Sequence, residues 1–280
     1  MKFTKMHGAG NDFVILNNLD GSIAESACPA LARQLCAQHR SLGADGLMVV
    51  VPAQNGGDYR MLFYNADGSI GEMCGNGARC ICRWGFENGL AGETQCVETT
   101  AGMVTGERIS KRMYRIRLND PSVIDLQRSV AIDGGQALVC SYIELGNPGL
   151  PHAIFLSDDI SHDALDSKRT LCARLRYAPE FPKGANVSLC RLVGPDHVLA
   201  ATYERGVEDF TLACGTGAGS ITTALTLAGL VSGKDVRISM PGGDLLVTVS
   251  VHDGTADHLY LTGPTNLVAV GEITDEDLTI

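Results

Sequence analysis

The sequence predicts an α+β protein of two pseudo-symmetric lobes, and two observations carry that prediction. The first is a repeated local pattern. Thr211-Leu212-Ala213 runs into Cys214 and a Gly-Thr-Gly turn, and a small-residue stretch from Ala218 to Leu227 with the character of a buried helix follows. Earlier in the chain Cys74 opens a Gly-Asn-Gly turn, and the stretch to Trp84 is again compatible with a helix. The two cysteines stand half a chain length apart, so each half offers one thiol on one helix N-terminus. The second observation is strand-like alternation around these helices, clearest between Glu98 and Asp120, where Val104, Ile109, Tyr114, Ile116 and Leu118 fall among polar residues. Two such halves imply two related lobes that share a cleft.

A thiol at the mouth of a helix meets free backbone N–H groups and the positive end of the macrodipole, and both favour the thiolate. Two opposed thiols suit one chemistry in particular: a proton leaves one face of a carbon and another arrives on the opposite face.

Composition narrows the classes. The 280 residues are long enough for two domains with a sizeable core. A net charge of −10 with no basic run argues against nucleic acid and anionic membrane surfaces as partners. No apolar run reaches the length of a membrane span and no signal pattern opens the sequence, so a cytoplasmic protein is expected. Ten cysteines in a chain of this length do not describe a secreted disulfide scaffold. Cys74, Cys80 and Cys82 lie close together, but no CxxC pair and no nearby histidine at ligand spacing accompanies them, so no metal is expected. Most of the ten read as small buried hydrophobes.

Along the chain, residues 1–17 read as two strands joined by His7-Gly8-Ala9-Gly10-Asn11-Asp12, which is either a plain hairpin turn or a loop that projects Asn11 into a site. Residues 21–40 carry an amphipathic helical pattern, and strands are expected at 47–51 and 59–64. The second of these delivers Asn65-Ala66-Asp67-Gly68 just ahead of Cys74, which places Asn65 to aim an amide toward it. The first lobe is expected to close near Pro121. The second opens with a strand at 137–145, then Gly146-Asn147-Pro148-Gly149-Leu150-Pro151-His152, where prolines and glycines hold His152 in a rigid loop in either a structural or a functional role. A helical segment at 158–176, the Gly-flanked Asn186, and strands at 236–240, 245–251 and 258–262 complete it.

HGAGNDFV at 7–14, YNADGS at 64–69, MCGNGAR at 73–79, PHA at 151–153, GANV at 184–187, and YERGV with LACGTG between 203 and 217 resemble diaminopimelate epimerase, in order and across nearly the whole chain. The resemblance implies a cofactor-independent epimerase that interconverts LL- and meso-diaminopimelate, a precursor of lysine and peptidoglycan, and that acts as a homodimer. It implies two lobes, 1–120 and 121–263, each a curved, mostly antiparallel sheet around a central helix, with the first completed by residues 264–280 and the active site in the cleft between them. Cys74 and Cys214 match the catalytic thiols, and His152 and Glu204 match groups that set thiol protonation or hold the ammonium. Asn11, Asn65 and Asn186 match substrate-binding amides, with Arg205 beside Glu204 at the reacting head group. Backbone N–H groups of Gly75, Asn76, Gly215 and Thr216 would hold the α-carboxylate. Two positions depart from the pattern: Leu150 stands where an asparagine is frequent, which leaves the reach of Asn147 open, and Phe210 precedes Thr211 where a small or acidic residue is common. A racemase of another amino acid such as histidine, a non-catalytic amino-acid-binding protein, and a thiol-disulfide redox protein remain as alternatives.

Overall fold

The computed structural model describes residues 1–71, 74–132, 136–274 and 278. The elements, in chain order, are β1 (Lys2–Gly8), β2 (Asn11–Asn17), α1 (Cys28–Leu35), β3 (Gly46–Val51), β4 (Tyr59–Asn65), α2 (Gly75–Glu87), β5 (Thr94–Thr99), β6 (Gly102–Arg108) and β7 (Met113–Arg117). They continue with β8 (Pro121–Ala131), β9 (Ala137–Leu145), β10 (Leu150–Leu156), α3 (His162–Leu175), β11 (Asn186–Gly194), β12 (His197–Glu204), β13 (Asp209–Phe210) and α4 (Gly215–Leu227). The last are β14 (Val236–Met240), β15 (Gly243–His252), β16 (Thr255–Pro264) and β17 (Asn266–Glu272). The chain divides into two compact units, residues 1–116 with 263–280, and 117–262.

The units share one strand pattern. The first runs β17-β1-β2-β3-β4-β5-β6-β7, and its successive pairings are antiparallel, antiparallel, parallel, antiparallel, parallel, antiparallel, antiparallel. The second runs β8-β9-β10-β11-β12-β14-β15-β16 with the same order of parallel and antiparallel pairs. The pseudo-symmetric α+β fold expected from the sequence is thus present. In the first unit β17, from the end of the chain, takes the place that β8 holds in the second.

Each unit is built on a helix of 13 residues, α2 or α4. Almost every side chain of the first three turns of each is buried, which marks an interior helix rather than a surface one. α2 packs on β1, β2 and β6, and α4 on β9, β10, β11 and β15. Small residues make this close approach possible. A Cβ on Gly77 would lie 2.1 Å from Met48 Cε, and one on Gly217 would lie 2.8 Å from Thr202 Oγ1 and 3.2 Å from Cys214 Sγ. The second glycine of each Gly-X-Gly turn therefore lets the helix start against the sheet without displacing the cysteine.

The elements form as expected where periodicity is regular and depart from expectation elsewhere. The amphipathic stretch at 21–40 contracts to α1 after a single 3-10 turn at Glu25–Ala27, and the segment at 158–176 to α3. β8 was missed. Its register shifts twice, which breaks the alternation that marks a strand. His152 lies inside β10, fully buried, and not in a loop.

Candidate active site

In both units the same end of the sheet surrounds the helix N-terminus. β2 and β3, a parallel pair, begin there, and β4, antiparallel to β3, ends there at Asn65 opposite Gly46. In the second unit β10 and β11 begin beside α4 with His152 opposite Asn186, and β12 ends at Glu204.

Cys74 is the N-cap residue of α2, and its Sγ accepts the Gly77 N–H at 3.5 Å. Asn11, the first residue of β2, turns its Oδ1 toward that sulfur at 3.3 Å and accepts from Asn76 Nδ2 at 3.4 Å. The Asn11 amide is oriented by Asp45, whose Oδ2 accepts from Asn11 Nδ2 at 2.6 Å and from the Asp12 N–H at 3.0 Å. Asn76 Oδ1 in turn accepts from Arg79 Nη2 at 2.8 Å. Neither Asp45 nor Arg79 was singled out from sequence. Asp45 sits in a Gly-Ala-Asp-Gly turn, and only the pairing of that turn with the Asn-Asp turn would have revealed it. Asn65 holds its own turn through Ser69 Oγ at 2.9 Å.

Cys214 is the N-cap residue of α4, and its N–H lies 3.3 Å from Met240 Sδ. The Thr216 hydroxyl sits 3.6 Å from Cys214 Sγ and 3.1 Å from His152 Nε2. Asn186 donates from Nδ2 to the Pro151 carbonyl at 3.2 Å and faces His152 Nε2 at 3.4 Å, while its Oδ1 accepts the Arg205 N–H at 2.8 Å. Glu204 accepts a short hydrogen bond from Thr211. Arg205 is exposed and donates from Nη1 to the Lys183 carbonyl at 3.1 Å.

The electrostatics of the second unit run against the expected thiolate. Burial, and then the Glu204 carboxylate, push the Cys214 thiol well above its ordinary range. Burial, reinforced by the Arg205 charge, pushes His152 down to about 3, so its imidazole is neutral. Desolvation and a neighbouring anion thus oppose the helix N-terminus at this thiol.

Asn147 is exposed in the turn at 146–149. Phe210 belongs to the unit's own packing: its ring meets Tyr203 edge-on at 5.7 Å, so this departure is accounted for by the core. All ten cysteines are free thiols, and burial pushes Cys36, Cys80, Cys82, Cys140, Cys172 and Cys190 up to about 12. Among the described residues no helix is long and apolar enough to cross a membrane.

Solved structures show the same architecture in other proteins. A probable proline racemase from Agrobacterium radiobacter K84 superposes with a TM-score of 0.70 at 15% identity, covering 98% of this chain and 92% of that one. A PhzF-family phenazine biosynthesis protein from Bacillus anthracis gives 0.71 at 13% identity, covering 97% and 98%. The fold is therefore the two-lobe α+β scaffold found in racemases and PhzF proteins. Sequence relatives narrow it further. A family model for diaminopimelate epimerase matches residues 3–112 and 145–268. The diaminopimelate epimerase of Aquifex aeolicus is 34% identical over 99% of both chains, and that of Archaeoglobus fulgidus 34% identical over 96% of this chain and 95% of its own. This chain is an isomerase of the epimerase type, and it belongs to the diaminopimelate epimerase family.

Proposed function

We propose that the chain interconverts LL- and meso-2,6-diaminopimelate, without pyridoxal phosphate, by proton transfer at the α-carbon between two cysteines. One observation carries the reading: each unit presents a cysteine as the N-cap residue of a buried helix, at the positive end of that helix's dipole. An amino-acid α-proton is very weakly acidic, so the enediolate formed by its loss must be stabilised. In this reading the N–H groups of Gly75, Asn76, Gly215 and Thr216 hold the α-carboxylate as that charge grows.

One thiolate takes the proton, breaking the C–H bond and forming S–H. The other thiol gives its proton to the opposite face and becomes the thiolate. The reverse reaction exchanges the two roles. Asn11 orients Cys74. Thr216 and His152 orient Cys214, with Glu204 setting its charge, and Arg205 meets the substrate. Such an activity would serve lysine and peptidoglycan precursor synthesis, and free thiols of this kind persist in the reducing cytoplasm.

The homodimer implied by the resemblance has a candidate surface at β17, which pairs with β1 and exposes Val268 and Val270 at 54% and 68%. Light scattering of the wild type and of Val268→Lys/Val270→Lys checks this: a wild-type monomer removes the dimer. For the activity, the protein is incubated in D₂O with single stereoisomers of diaminopimelate, and α-hydrogen exchange and the appearance of the other isomer are followed by NMR. Absence of both in reduced, folded protein overturns the function.

A further inference from the structure

Arg79 is fully buried in the first unit. Its guanidinium folds back over the first turn of its own helix, where Nη1 donates to the Gly75 carbonyl at 3.2 Å and Nη2 to Asn76 Oδ1 at 2.8 Å. Nε has no partner, and no carboxylate among the described residues pairs with the group. A buried cation without an anion is costly, and such groups persist where a counter-charge arrives or a site uses the field.

The position of this charge is specific. It adds a full positive charge to the helix end that already carries the positive pole, next to the N-cap thiol. It also donates to the carbonyl of the Gly75–Asn76 peptide, which polarises the N–H on that peptide, and this N–H belongs to Asn76. Arg79 keeps its proton at neutral pH, since burial lowers it only to about 10, with the Cys80 and Cys74 thiols pulling the other way. Cys80 is no candidate for the anion, because burial pushes it up to about 12 despite the adjacent guanidinium.

The second unit has the opposite arrangement. Five residues after its cysteine stands Gly219, in a space closed by Leu118, and the charged group beside the thiol is the Glu204 carboxylate. At the fifth position after the cysteine the two units differ, a buried guanidinium in one and a glycine in the other, and the second thiol has a carboxylate beside it.

Among the described residues, the other charged groups near Cys74 are paired or act through an intermediary. On β1, Gly8 packs against Asn76 and Arg79 Nη2. Asp12 is paired with Lys5 at 2.7 Å, and Asp45 is exposed and reaches the sulfur only through the Asn11 amide. Arg83, one turn on, is paired with Glu87 at 2.8 Å. The Asn11 Oδ1 facing Sγ favours the thiol, but it is one neutral dipole against a full charge in a poorly screening interior.

We propose that Arg79 is the fixed counter-charge of the first half-site, so that in the resting protein Cys74 is the thiolate base and Cys214, beside Glu204, is the protonated acid. The assignment rests on the two-thiol reading above. It gives the two cysteines distinct starting roles that their similar Gly-X-Gly turns do not distinguish.

The test is alkylation by iodoacetamide across pH 5 to 10 on the reduced full-length protein, with Cys74 and Cys214 scored separately by peptide mass spectrometry. Midpoints are compared rather than rates, because Cys214 is the less accessible thiol. In the wild type the Cys74 midpoint is expected about two pH units or more below that of Cys214. In Arg79→Met it rises by about one unit or more, a tenfold loss of thiolate at a fixed lower pH, and Arg79→Lys recovers most of the shift. A wild-type Cys214 midpoint at or below that of Cys74 overturns the proposal without any variant. So does an unchanged Cys74 midpoint in Arg79→Met whose melting curve shows a folded protein. Alkylation needs no substrate, so failure here leaves the exchange result on epimerisation standing, and the reverse also holds.

Discussion

Thr216 Oγ1 lies 3.1 Å from His152 Nε2 and faces the Cys214 sulfur on its other side. The direction of this chain follows from its far end. Asn186 Oδ1 accepts the Arg205 N–H, so its NH₂ group faces His152 Nε2, an arrangement that suits the Nδ1–H tautomer with the lone pair on Nε2. Thr216 then donates to His152 and leaves its own lone pairs for the Cys214 S–H. A neutral histidine thus holds the hydroxyl that lies beside the Cys214 thiol.

Thr216→Val keeps the shape and the backbone N–H and removes only this link. It is expected to lower kcat by roughly 10- to 100-fold with little change in KM, the pattern of an interaction made in the proton-transfer step. Thr216→Ser should retain most of the rate. Steady-state kinetics of the three proteins check it, and a Val variant with wild-type kcat would dismiss the chain as packing.

The buried His152 also makes stability depend on pH. Its folded-state pKa is depressed from 6.5 to about 3, so the unfolded chain binds the proton first as pH falls. The contribution is complete above pH 6.5 and is lost progressively toward pH 3. Carboxylates that are lowered in the native protein, such as Glu144 and Asp125, act mainly below the unfolded carboxylate range, which leaves pH 6.5 to 5 to the histidine. Over that window the slope is up to about 1.4 kcal/mol per pH unit, or about 2 kcal/mol in all. Urea unfolding at pH 7.5, 6 and 5 should show the loss, and His152→Gln should flatten it.

Cys74→Ala and Cys214→Ala are each expected to abolish epimerisation while the fold survives, because proton exchange at opposite faces needs a group on each. A loss of at least about 10³-fold is expected for either, at the upper end for removal of a positioned base or acid. Circular dichroism controls for folding. Full activity in either single variant removes the two-base mechanism.

What could be read from sequence follows the range of the physics involved. The Gly-X-Gly turns after Cys74 and Cys214 are local, since the need for a helix to begin tight against a sheet is written in three residues. The repeat of that signal was enough to expect two related units. Burial depth is not local. The expected thiolate at Cys214 rested on the helix end alone, whereas the outcome depends on desolvation and on Glu204, brought beside it by β12. The same holds for Arg79. Within MCGNGAR it reads as an ordinary polar residue of a helix, and only the all-round burial of α2 turns it into a buried charge without a carboxylate partner among the described residues. Asn65 and Asn147 carry the residue type expected of substrate amides, yet one holds its own turn and the other is exposed in one.

The final expectation concerns what the site accepts. Asn11 and Asn186 are engaged in orienting Cys74 and the His152–Arg205 region, and Arg205 is an exposed cation of the second unit next to Asn186. In the proposed reaction helix N–H groups hold one carboxylate, and an exposed guanidinium beside them is more than a single amino-acid head group needs. A substrate with an amino-acid group at each end uses the surplus: one end reacts while the other is recognised. A polar group left without its partner costs about 1–3 kcal/mol, so a one-headed amino acid should lose about 5- to 150-fold in kcat/KM. Arg205→Ala should remove most of the advantage for diaminopimelate and leave the low rates with lysine or ornithine nearly unchanged. The comparison is kcat/KM for LL-diaminopimelate, histidine, lysine and ornithine with wild type and Arg205→Ala. If histidine or another one-headed amino acid exceeds diaminopimelate, the epimerase assignment stands and the substrate falls.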